Sequence, residues 1–347
     1  MPALRRFLLA ALPLLLLAAA CKDDDSSSSP DGEETAVVAA SPTLSPPEET
    51  PTRVPPSPTQ RPYPTPSPTP SPTVVPTPFT DTSAIARDML DMQAAMQVAV
   101  DAYWVPGVYA VAVTDLQTGE TVSVRGEERQ LSGCSMNLFV LYRAALDVEE
   151  GHYSLETVDA LIRATTWSSN AKTARDLYVI AGGGDGVEGV RRVEELIRSL
   201  GLEEVLIDHP PAFHEHSLGI DYNNYVTAVS MNRALAALWS GEVVDGEMRD
   251  YLFEVLGEVK PGLNYLSAAV PEGTVSHKNG FFLGSNGYVD NDAGIIRLQR
   301  GDEEYAYAFS FLSQQVPSEY GDIALGQQLG ALAYAVMAAR YPAEPET

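Results

Sequence analysis

Cys134 opens the run Cys134-Ser135-Met136-Asn137-Leu138-Phe139-Val140-Leu141, which places a thiol at the N-terminus of an apolar helix. A helix start offers unpaired N–H groups and the positive end of the macrodipole, and both favour a thiolate over a thiol. One turn on, Asn137 shares the face of Cys134 but carries an amide, which cannot take up a proton. Two further polar groups lie far along the chain, Ser168-Ser169-Asn170 and Lys278-Asn279-Gly280. Hydroxyl, amide and ammonium are all hydrogen-bonding groups that a site can use. Each group also has a plainer reading: Ser and Asn cap helices, Lys-Asn-Gly suits a strand-end turn, and a small thiol suits a core. His209, His214 and His216 have no fourth ligand at a recognisable spacing and read as a polar loop. Neither a metal nor a cofactor is expected.

These residues need elements to hold them. Asp81 or Thr82 can cap a helix whose Ile85, Met89, Met92 and Met96 form one apolar stripe. Val108 to Thr114 reads as a strand, Asp115 to Gly119 as a turn and Thr121 to Arg125 as the hairpin partner. The helix from about Cys134 to Glu149 is apolar on nearly every side, as a buried central helix is. Leu155 to about Leu256 holds helical runs and loops without a strand. Thr274 to Leu283, Ala293 to Gln299 and Tyr305 to Ser313 then read as three strands, and a closing helix carries Leu325, Leu329, Leu332 and Val336. The order predicts an α+β fold: a five-stranded antiparallel sheet flanked by N- and C-terminal helices, with an all-helical lobe inserted at about 150–264.

Before this domain the chain changes character. Arg5 and Arg6 precede an apolar stretch, Phe7 to Ala20, that ends in Ala18-Ala19-Ala20 just before Cys21. The stretch is short for a membrane span and resembles a bacterial lipoprotein signal peptide covering residues 1–21, which implies a lipidated Cys21; an uncleaved anchor is the alternative. Either way the rest is expected outside the cytoplasm, anchored at the cell envelope. Between Ser41 and Pro78 lie 15 of the 26 prolines, so residues 22–80 are expected to form a disordered Pro/Ser/Thr-rich tether reaching on the order of 100 Å. The domain is then expected over 81–342, with a tail at 343–347. A net charge of −25 excludes nucleic acid and anionic lipid surfaces as partners. With two cysteines in the chain, Cys134 has no intrachain partner once Cys21 carries lipid.

In their order, Ser168-Ser169-Asn170 and Lys278-Asn279-Gly280 resemble the second and third signatures, Ser-Asp-Asn and Lys-Thr-Gly, of class A β-lactamases and penicillin-binding proteins. Cys134-Ser135-Met136-Asn137 stands where that family has Ser-x-x-Lys, so the first signature is broken. The stretch Asn224 to Glu242 looks like the helix that closes the family's helical lobe. Leu263 to Gly280 resembles the run into the third signature, and Asp292-Ala293-Gly294-Ile295-Ile296 the strand after it. Glu215-His216-Ser217-Leu218-Gly219 resembles the family's Glu-x-x-Leu-Asn loop, from which Gly219 departs. The resemblance covers most of residues 81–342 and implies the β-lactamase-like fold.

Carried over by position, the resemblance implies Cys134 at the nucleophile, Asn137 at its lysine, Ser168 at the proton relay and Asn170 at the amide holder. It implies Lys278 facing a substrate carboxylate, with Asn279 and Gly280 beside the ligand and Glu215 in deacylation. Ser169 replaces the usual aspartate and Asn279 the usual threonine or serine. Three readings follow: a domain that binds a β-lactam or a D-alanyl, peptidoglycan-like peptide with hydrolysis lost or impaired; a hydrolase or acyl transferase that uses Cys134; or a structural, protein-binding envelope module. Losing nucleophile and base together costs up to about a million-fold in comparable hydrolases, which favours the first.

Overall fold

β1 (Val108–Asp115) is buried along almost its whole length, so both faces of the sheet around it must be covered. The computed structural model of the protein describes residues 85–260 and 270–343 and shows what covers them. The chain runs through α1 (Arg87–Ala102), β1, β2 (Thr121–Val124), β3 (Gln130–Leu131), a 3₁₀ turn (Gly133–Met136) and α2 (Asn137–Glu149). The helical lobe follows with α3 (Leu155–Ser168), α4 (Ala171–Ala181) and α5 (Gly186–Ser199), then a second 3₁₀ turn (His214–His216), β4 (Tyr225–Val226), α6 (Ala228–Ser240) and α7 (Gly246–Leu256). β5 (Thr274–Gly284), β6 (Gly287–Arg300), β7 (Glu303–Val316) and α8 (Ile323–Arg340) complete the order. The sheet is antiparallel in the order β2-β1-β7-β6-β5. The expected α+β, β-lactamase-like architecture is therefore observed.

Alternation divides the core in two. Val111, Val113, Phe309, Phe311 and Ile296 face the terminal helices, where Met89, Met92 and Met96 of α1 meet Leu325, Leu329 and Met337 of α8. The opposite face carries small residues, Ala110, Ala112, Ala293, Ala306 and Ala308, and these admit α6 at close range, with the buried α2 in the same core. Asn232 of α6 fixes that packing: its Nδ2 donates to Thr114 Oγ1 at 3.1 Å, and its Oδ1 accepts from Ser310 Oγ at 2.6 Å.

Three expectations are corrected. The helix after Cys134 begins only at Asn137, because the first turn closes as a 3₁₀ helix. β6 starts at Gly287, not at Ala293; its polar start is held by a bulged pairing to β7 between Tyr288 and Asp290. A short strand, β4, also crosses the segment expected to lack one, pairing Tyr225 and Val226 with β3. The signal segment with Cys21, the Pro-rich stretch 22–80, the Asp81 or Thr82 cap and the start of the run from Leu263 lie outside the described residues, as does the tail beyond 343.

Candidate functional site

The turn that carries Cys134 is held from three sides. Ser132 N donates to Asn224 O at 3.0 Å. Asn291 Nδ2 from β6 donates to Leu131 O at 2.8 Å and Ser132 O at 2.9 Å, and Leu131 N donates to Gln314 Oε1 at 3.1 Å. Beneath the turn runs β5. A Cβ at Gly280 would stand 2.3 Å from Ser135 N and 2.7 Å from Cys134 N, so only glycine lets the strand pass under these amides. Gly133, at φ +50°, makes the matching approach from above, toward the backbone of Gly280 and Phe281. Cys134 is 7% exposed and lines a cleft of about 740 Å³.

Lys278 lies behind that wall. It is fully buried, and its ammonium donates to Ser169 Oγ, to Asn279 O at 2.6 Å and to Asn279 Oδ1 at 3.5 Å. Ser169, at φ +54°, ends α3 in the left-handed region and sends its own hydroxyl toward Asn279 Oδ1 at 3.3 Å. Ser168 Oγ instead turns back onto Ala164 O at 3.4 Å. Asn170 is exposed and caps α4, accepting from Lys172 N at 3.0 Å and Thr173 N at 3.2 Å. The hydrogen-bonded cluster is therefore Lys278, Ser169 and Asn279, one residue along from Ser168, which the resemblance implied at the proton relay. Asn170's capping preference is the sequence signal for this: it starts α4 at Ala171 and leaves Ser169 as the turn.

Asn137 is fully buried, and neither carboxamide atom finds a hydrogen-bond partner among the described residues. Glu215 sits on an exposed 3₁₀ turn and is not among the cleft-lining residues. The loop that carries it is organised by the buried Asp208, which accepts from Ile220 N at 2.7 Å and from the Ser217 hydroxyl. Asn224 ties the loop to the Cys134 turn. Its Oδ1 accepts from Asp208 N at 2.7 Å, while its Nδ2 donates to His209 O and Met136 Sδ, each at 2.9 Å. His209 and His214 line the same cleft as Cys134, their ring centroids 4.0 Å apart, and His214 stacks on Tyr222 at 4.7 Å. Partial burial, and then His209, hold the His214 imidazolium below its usual range. His216 packs against Gly186 instead. A separate buried pair, His277 Nδ1 with Asp292 Oδ1 at 2.6 Å, links β5 to β6 next to Lys278.

The remaining cleft walls were not singled out from the sequence. Phe281, Phe282 and Leu283 of β5 form one side, and Tyr222, Tyr225 and Met136 belong to the other boundaries. Aromatics in strands and loops read as core, so composition alone gives no signal for this wall.

Comparison with known proteins agrees with this fold. A family model described as the β-lactamase enzyme family matches residues 184–337, which include Lys278-Asn279-Gly280 and stop short of Cys134. A curated β-lactamase of Bacteroides uniformis is 26% identical over 140 residues, 39% of this chain and 47% of the relative, so the chain spans about half the length of the curated relative it matches. Among solved structures, a class A β-lactamase of Bacteroides cellulosilyticus superposes with a TM-score of 0.62 at 17% identity, over 73% of this chain and 99% of the other. A β-lactamase of Chitinophaga pinensis gives 0.59 at 17% identity, over 71% and 99%. A PBP-A variant in an acyl-enzyme complex with penicillin G gives 0.60 at 14% identity, over 72% and 97%. Sheet topology and these superpositions lead to one classification: the chain has the β-lactamase-like fold, and its residues 184–337 match the β-lactamase enzyme family.

Proposed function

We propose that this is an envelope lipoprotein whose β-lactamase-like domain keeps a cleft for β-lactam or D-alanyl-peptide-like acyl compounds and has lost efficient hydrolysis there. One observation carries the reading. Cys134 lines a large cleft, while Asn137, the residue at the base position, is a buried neutral amide. The exposed Glu215 lies away from the cleft lining, so no described carboxylate of that loop is placed to activate water. The likeness to PBP-A, a variant of which is held as an acyl-enzyme with penicillin G, supports a β-lactam as the probe. The lipid anchor rests on the sequence of residues 1–21 and would set the domain at the cell envelope. The test is mass spectrometry of the protein after incubation with a penicillin, alongside steady-state hydrolysis. Binding with turnover far below the usual enzymatic range is expected; turnover at about 10 per second or more would refute the loss of hydrolysis.

A second reading makes Cys134 an acyl acceptor, favoured by the thiol sharing its cleft with His209 and His214. In that step a C–S bond forms at the lactam carbonyl, the C–N bond opens, and the thiol proton passes to the departing nitrogen. The thioester would then persist for want of an activated water. Alkylation kinetics separate the readings: a thiol no more reactive than a small free thiol at the same pH counts against the acceptor role.

A further inference from the structure

We propose that the cleft selects its ligand by an apolar, aromatic acyl group, and that a ligand carboxylate is not anchored by Lys278. This rests on the reading of the cleft as a binding site for acyl compounds and names what it chooses among them.

Three observations carry it. First, Lys278 is fully buried and absent from the cleft lining, and its three donors all have acceptors inside the protein, on Ser169 Oγ, Asn279 O and Asn279 Oδ1. A ligand carboxylate would have to displace these bonds and reach a nitrogen behind the wall. Second, the one lysine or arginine among the lining residues is Arg129, and Glu204 faces it at 3.8 Å. His214, the exposed imidazole of the cleft, is held toward its neutral form, and the chain as a whole carries −25. A ligand anion at the mouth therefore meets no lysine or arginine that lacks a carboxylate beside it. Third, the open surface is apolar. Tyr222 is 74% and Leu283 64% exposed, and Phe281 and Phe282 continue the same strand wall down toward Cys134. Large side chains left open around a concave site gain most by covering a ring or an aliphatic group.

The experiment titrates the full chain calorimetrically with three matched probes: benzylpenicillin, its methyl ester, and 6-aminopenicillanic acid, which lacks the phenylacetyl group. The ester is expected to bind at least as tightly as the acid, and loss of the phenylacetyl group to weaken binding about tenfold or more. The exposed-site variants Leu283→Ser and Tyr222→Ser should each weaken benzylpenicillin severalfold. An ester that binds tenfold more weakly than the acid would overturn the proposal while leaving the binding function intact. So would equal affinity for 6-aminopenicillanic acid and benzylpenicillin. If none of the three binds, the acyl-ligand reading itself falls and this proposal falls with it.

Discussion

Cys134 and Asn137 lie three residues apart at the start of one helical run, and each alters the other's meaning. A thiol needs less help than a hydroxyl to become a nucleophile, whereas an amide gives no help at all. Restoring only one of them therefore should achieve little. Cys134→Ser with Asn137→Lys is expected to raise penicillin acylation by more than the product of the two single effects, since nucleophile and base act as a unit. Mass-spectrometric acylation rates for the four proteins check this, and a multiplicative result would show the two positions to be independent. Gly280 gives a second expectation at this scale. With a Cβ 2.3 Å from Ser135 N, Gly280→Ala must push β5 away from the Cys134 turn. It should cost about 2–3 kcal/mol in denaturant unfolding and expose Cys134 to faster alkylation. The residue types at the site could be read from the sequence because thiol, lysine and glycine have few substitutes there. The choice between Ser168 and Ser169 has only a fainter signal, the capping preference of Asn170, which does not fix the backbone of the residue before it. It depends on where α3 ends, and one residue in the left-handed region decides which hydroxyl turns toward Lys278.

At the scale of elements, the loop between α5 and β4 behaves as a wall pinned at one residue. Asn224 satisfies the amides of Asp208 and His209 and the carbonyl of His209, while its own carbonyl receives the Ser132 amide. Asn224→Ala leaves buried backbone groups without partners and should cost about 3 kcal/mol. The loosening should be local: hydrogen exchange is expected to accelerate over residues 208–224 and at the Cys134 turn, with α1 and α8 unchanged. Uniform acceleration across the protein would instead make Asn224 a general core residue. The elements with strong periodicity, α1, β1 and α8, were legible because each presents an apolar face to the core of the terminal helices. The start of β6 was not. Asp290, Asn291 and Asp292 have low strand propensity; they sit in the sheet because Ser313 Oγ of β7 accepts from the Asp290 amide, Asn291 bridges the Ser313 amide and the carbonyls of Leu131 and Ser132, and His277 of β5 pairs with Asp292.

The whole molecule is closed where β6 meets the start of α8, and two acids meet at that junction. Asp290 and Asp322 are 2% and 1% exposed and lie within hydrogen-bond reach of each other, with the Tyr320 amide beside Asp290 and the Ser313 hydroxyl beside Asp322. A single proton shared between them removes the repulsion of two buried charges and lets one carboxyl group donate to the other. Burial, and then the charge of Asp322, accordingly push Asp290 up from the ordinary 3.8 to about 9, and burial raises Asp322 as well. The folded protein thus holds a proton that the unfolded chain releases above about pH 4. This contribution to stability is present in full below that value, is lost as pH rises toward about 9, and changes no further beyond it. Glu120 acts in the opposite sense. Its pKa is lowered although burial opposes the shift, because the Ala86 amide and Arg340 bind its carboxylate, so its contribution is lost as pH falls through the carboxylate range. The melting temperature of the full chain is expected to peak in mildly acidic solution and decline steadily from about pH 6 to 9. In Asp290→Asn, whose amide supplies a donor without a proton, that decline should flatten and the variant should be the more stable protein at pH 9. Self-repulsion of a chain carrying −25 also weakens the fold at high pH, but added salt screens it in wild type and variant alike. If the two proteins lose stability in parallel from pH 6 to 9 in 0.5 M salt, the acid pair does not share a proton in the folded state.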